Sequence, residues 1–150
     1  MLDKFYKHLF DREYMSGVER EKTRVKETAE VFTPTERVEK ELDKIDQRLF
    51  VDPTKTFLDP SVGDGQFLAS VLYRKLQNGI DFETALSTIY GVDLMEDNVE
   101  EARTRLLCDR EDLRHIVEKN IVCHDGLTYD YSFNGTNQNE ADLRFDSLFD

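Results

Sequence analysis

Three aspartates stand where apolar runs stop: Asp59 in "TFLDP", Asp93 in "TIYGVDL" and Asp125 in "NIVCHDGL". One carboxylate at such a position is an ordinary turn former. Three of them, with Gly63-Asp64-Gly65 between the first two, point to a shared ligand at the carboxyl edge of a parallel sheet. The loop has neither the third glycine of a dinucleotide fingerprint nor the Gly-Lys-Ser/Thr of a phosphate loop. Anionic side chains beside it repel a pyrophosphate. They suit a ligand with an amine, a positive centre and free hydroxyls. S-adenosylmethionine has an ammonium, a sulfonium, a ribose diol and no phosphate.

The residues then take distinct expected roles. Gly63 and Gly65 let the backbone approach the ligand with no Cβ in the way. Asp59 takes the ammonium through a charge-assisted hydrogen bond. Asp93 accepts from the ribose hydroxyls, as acidic residues at this point of nucleotide-binding folds do. Leu94 or Met95 lies against the adenine face, Asp125 accepts from the adenine amino group, and Gly126 leaves space. The three histidines and two cysteines form no metal-ligand spacing, so no metal site is expected.

The elements that must hold these residues follow from apolar spacing. Strands are expected at 56–59, 88–94 and in "NIVCHDGL". "GQFLASVLYRKLQN" is expected as a helix with Phe67, Leu68, Val71, Leu72 and Leu76 inward. "EDNVEEARTRLL" is a second, with Val99, Ala102, Leu106 and Leu107 facing in, and "EDLRHIVEKN" continues as helix to a left-handed end at Asn120. Residues 82–87 add a helical turn. "VFTPTERVEKELDKI" opens another helix: Thr33 is the N-cap, Pro34 the first helical residue, Glu36 the capping-box partner, and Val38, Leu42 and Ile45 share a face. Strands alternating with helices make the fold class α/β, with parallel units covered on both faces. Residues 1–30 are read as a mostly helical, charged N-terminal extension with aromatics at Phe5, Tyr6 and Phe10, and 31–150 as the cofactor-binding domain. Residues 130–145 read as a polar loop, and the last residues as either a fourth strand or a short helix.

At 150 residues, 39% hydrophobic and 35% charged, the chain is sized for one globular domain. No membrane span and no signal-peptide core are visible, so a cytoplasmic protein is expected. A net charge of −12 argues against this chain gripping nucleic acid by itself, although Lys and Arg gather in "REKTRVK" at 20–26.

Four segments in order resemble one family. "EVFTPTERVEKEL" looks like the aromatic-Thr-Pro segment, "FLDPSVGDGQFLASVL" the Asp-Pro-x-x-Gly-x-Gly-x-Phe-Leu signature, "IYGVDLMEDNVEEAR" the ribose-binding strand and helix, and "IVCHDGL" the adenine-contacting segment of gamma-class adenine-N6 DNA methyltransferases of restriction–modification systems. The resemblance implies a Rossmann-like S-adenosylmethionine-dependent methyltransferase fold. It adds Phe32, Thr33, Pro34 and Pro60 to Asp59, Gly63, Gly65, Asp93, Leu94, Met95, Asp125 and Gly126 as the cofactor site.

The resemblance also has a gap. The family's catalytic Asn/Asp-Pro-Pro-aromatic motif holds and stacks on the flipped base. This chain has three prolines, Pro34, Pro53 and Pro60, none adjacent to another. "RFDSLFD" resembles the segment just before that motif. The expectation is therefore an incomplete fold, the cofactor half, with no catalytic residue of its own. Activity would require a partner subunit that brings the DNA, in a homodimer or a complex with a restriction–modification component. The alternative reading is a non-catalytic acidic protein that modulates such an enzyme or sequesters cofactor.

Overall fold

The computed structural model describes residues 2–10 and 35–135. Phe32, Thr33, Pro34, the basic stretch at 20–26 and the C-terminal "LRFDSLFD" lie outside the described residues, as does the cap expected at Thr33.

Three short strands, β1 (Phe57–Asp59), β2 (Ile89–Asp93) and β3 (Ile121–Cys123), form one parallel sheet in the order β1-β2-β3. Phe57 pairs with Ile89 and Asp59 with Gly91, while Gly91 pairs with Ile121 and Asp93 with Cys123. Among the described residues the helices are α1 (Asp3–Phe10), α2 (Thr35–Asp43), α3 (Gln66–Gln77), α4 (Phe82–Ser87), α5 (Glu96–Leu107) and α6 (Arg114–Asn120). Short 3₁₀ turns occupy Gln47–Phe50 and Glu111–Leu113. The molecule is thus an α/β structure with a small parallel sheet and flanking helices. No helix among the described residues is long and apolar enough to cross a membrane.

One face of the sheet carries Phe57, Ile89 and Ile121 into the main core. That core is built by Leu68, Val71 and Leu72 of α3, Val99, Ala102 and Leu106 of α5, and Val38 and Leu42 of α2. Each fully buried aliphatic side chain there contributes roughly 1.5–3 kcal/mol of transfer free energy. Leu9 of α1 is in the same core. Phe5 stacks on Phe82 with centroids 4.9 Å apart, and Tyr6 and Phe10 pack on Tyr73. The expected N-terminal aromatics therefore pack on the domain itself.

The opposite face departs from expectation. Among the described residues it is covered by an aromatic segment rather than a helix: Tyr129, Tyr131 and Phe133 close over Val92 and Val122. Phe133 lies 4.8 Å from the Tyr90 ring. The Tyr129 hydroxyl accepts from the Phe133 amide at 2.8 Å. The segment turns sharply enough that Tyr131 and Phe133 both adopt positive φ, 57° and 44°. The helix end also differs. Ile121 is already extended after α6, and Asn120 is buried, donating to the Ser87 carbonyl at 3.2 Å. The left-handed residues instead follow α5, at Cys108 and Asp109.

Candidate functional site at the strand tips

After β1 the chain does not leave the sheet at once. The Val62 amide donates to the Val92 carbonyl at 2.8 Å, so the loop carries on the pairing with β2. The next amide, Gly63, donates to Asp93 Oδ2 at 2.9 Å. Asp93 Oδ1 accepts from the Met95 amide at 2.8 Å and from Asn98 Nδ2 at 3.3 Å. The carboxylate at the end of β2 thus pins the glycine loop on one side and the start of α5 on the other. A carboxylate has about four acceptor sites. Three are used here, leaving room at Oδ2 for one ligand hydroxyl.

Asp59 sits beside this group. Its Oδ1 accepts from the Ser61 amide at 3.0 Å. Burial pushes its carboxyl above the usual aspartate value, the Ser61 bond pulls it back, and the Asp93 charge pushes it up again. The Asp93 carboxylate is thus near enough for its charge to act on Asp59, and two neighbouring carboxylates favour a cationic group. Asp125 ends the adjacent strand, where the His124 amide extends the pairing to the Asp93 carbonyl at 2.9 Å. Asp125 is exposed, and its Oδ1 accepts from the Leu127 amide at 2.9 Å, the bond of an ordinary turn. Asp59 and Asp93 are therefore brought together, and Asp125 stands one strand over with an acceptor already committed.

The glycines divide by role. Gly63 has φ +55° and presents its amide to Asp93. Gly65 has φ +92°, and a Cβ there would lie 3.2 Å from Ala102 Cβ, so close packing on α5 demands glycine. A Cβ at Gly126 would meet the Pro60 carbonyl oxygen at 2.8 Å. The space expected for ligand at Gly126 and Gly65 is thus taken up by the protein's own chain, and the loops after β1 and β3 touch. Leu94 and Leu127 are 66% and 96% exposed, apolar groups left open at adjoining tips. Met95 beside them is half-buried.

Three residues of this site had no signal in the sequence. Asn98 is fully buried against Asp93, and Arg105 is 2% exposed beneath the loop. Gln66, the first residue of α3, accepts from Arg105 Nη2 through its Oε1 at 2.8 Å, and its buried Nε2 has no acceptor among the described residues. Asn and Gln at a helix start signal only capping, and an arginine in "EEARTRLL" reads as a solvated face.

Among the described residues, hollows also lie away from the strand tips. One of about 570 Å³ runs along α2 and the turn after it, past the exposed charged side chains of Glu36, Lys40 and Lys44. Another of about 200 Å³ is lined by Tyr6, Phe10, Ser70 and Tyr73. Neither includes the aspartates, and the strand tips carry the denser set of functional groups. No group of His, Cys, Asp and Glu among the described residues is arranged to hold a metal ion. Compared with known proteins, the chain matches no family model, no curated protein and no solved structure.

Proposed function

We propose that the strand tips bind S-adenosylmethionine and that the chain is the cofactor half of a Rossmann-like adenine-N6 DNA methyltransferase, dependent on a partner for catalysis. The observation that carries this reading is that Asp59 and Asp93 end adjacent paired strands close enough to feel each other's charge, with the Gly63 N–H on Asp93. The ammonium relieves the repulsion between the two carboxylates, a gain that no phosphate-bearing nucleotide offers. One ribose hydroxyl takes the remaining acceptor site of Asp93. The exposed Leu94 supplies an apolar wall for adenine. Phe32, Thr33 and Pro34 join the site only through the family resemblance.

Calorimetric titration decides the matter. S-adenosylmethionine should bind, D93N should weaken binding by about tenfold or more, and ATP should give no heat. Equal heat with ATP, or none with S-adenosylmethionine, overturns the assignment.

A second reading rests on the net charge of −12. It is a non-catalytic acidic protein that docks on the basic DNA channel of a restriction–modification enzyme. Inhibition of such an enzyme by the chain, undiminished in D93N, would favour it.

A further inference from the structure

Arg105 is a deeply buried charge beneath the loop, and its partners include groups of two separate segments, the end of α1 and the stretch from Asp64 to Gln66. Its Nε donates to the Leu9 carbonyl at the end of α1 at 2.5 Å. Its Nη2 donates to Gln66 Oε1 at 2.8 Å. Its Nη1 reaches the Asp64 carbonyl at 3.5 Å and pairs with Asp64 Oδ1 at 3.6 Å. The aliphatic stem passes directly under the loop, since a Cβ at Gly65 would lie 3.8 Å from Arg105 Cδ.

A guanidinium held this far from water needs every donor engaged. If α1 leaves, Nε loses its carbonyl and water enters beneath the loop. If the loop shifts, the Asp64 and Gln66 acceptors move away from the fork. The planar fork presents its donors in fixed directions, so α1 and the glycine loop are held in one arrangement relative to α5, which carries Arg105. We infer that Arg105 is a positioning residue that couples the docking of α1 to the shape of the glycine loop. Loosening either loosens both. In the ligand-bound protein this coupling makes ligand and α1 stabilise each other, a consequence that rests on the S-adenosylmethionine reading.

Hydrogen exchange on the full chain without ligand tests the coupling. R105K keeps the charge and loses the fork, and amides at 62–66 and in α1 should exchange faster together. V117A, which trims a buried side chain of α6, serves as a control with a comparable loss of thermal stability. It should leave both segments as they are. F5A loosens α1 at its contact with Phe82, with Arg105 intact, and the loop should still exchange faster. Should R105K fail to fold, F5A alone decides. Loop exchange in F5A or R105K no faster than in V117A would overturn the inference. With S-adenosylmethionine added, the wild type should show slowed exchange in α1, and R105K should bind at least about fivefold more weakly, the lower range of coupling between sites. Absence of binding to the wild type would refute the cofactor assignment and leave the exchange comparison to judge Arg105.

Discussion

Asp59 and Lys75 are charges taken out of water near opposite ends of β1, and burial shifts them in opposite directions. Lys75 is fully buried, donating to the Lys55 carbonyl at 2.8 Å and to Thr88 Oγ1 at 2.9 Å. Burial lowers its ammonium below the ordinary value of 10.5, against a small opposing pull from Asp52. The folded chain gives up that proton before the unfolded chain does. Stability therefore rises with pH from the lowered value up to 10.5. Asp59 holds its proton above the ordinary 3.8, so the folded chain binds more protons there and stability falls as pH climbs through that window. Chemical denaturation across pH should show both slopes, with K75M losing the alkaline one and D59N the acidic one. The ligand reverses the penalty at Asp59, because an ammonium favours the ionised carboxylate. Affinity for S-adenosylmethionine should thus strengthen as pH rises from the acidic range to neutrality in wild type and stay flat in D59N, which calorimetry at several pH values checks. These residues were legible to different degrees. That Asp59 and Asp93 end strands was legible because an apolar run that stops at a carboxylate marks a strand tip. The third aspartate fits less well, since its Oδ1 is committed to its own turn.

At the scale of elements, the glycines separate loop conformation from loop packing. Gly65 and Gly79 both lie in the left-handed region, at φ +92° and +87°. Beside Gly79 nothing lies within 4 Å, so G79A carries only the conformational cost of about 1–2 kcal/mol. G65A adds a 3.2 Å contact with Ala102 on the rigid backbone of α5. It should lose about 1 kcal/mol or more beyond G79A in urea denaturation, in line with overpacking costs. It should also weaken ligand binding, which G79A leaves unchanged. The helical elements were readable because α3 and α5 bury Leu68, Val71, Leu72, Val99, Ala102 and Leu106 at the spacing that marks one face. The aromatic cover at 129–133 was not, because it has neither helical nor strand periodicity and depends on two aromatic residues at positive φ. The break after α5 escaped for the same reason. Cys108 and Asp109 turn the chain without a glycine or proline to announce it.

On the scale of the whole molecule, charge and topology separate binding from catalysis. Arg105 shows how far a single sequence falls short here, because its contact with Leu9 spans 96 positions and no local pattern encodes it. The strand order is more accessible: consecutive strands joined by helices lie side by side, and β1 has no outer strand partner among the described residues. A sheet of this size can present strand tips to a nucleoside. The proposed chemistry also needs a Pro-Pro-aromatic segment to grip an extruded adenine, and no two of Pro34, Pro53 and Pro60 are adjacent. The net charge of −12 opposes approach to a duplex, and the opposition grows as salt is lowered because screening weakens. The purified chain should therefore bind labelled S-adenosylmethionine, fail to retard duplex DNA at low salt, and transfer no label to it. A basic partner supplying the missing motif should restore both retention and transfer. Transfer by the purified chain alone would show that its own residues hold the target base.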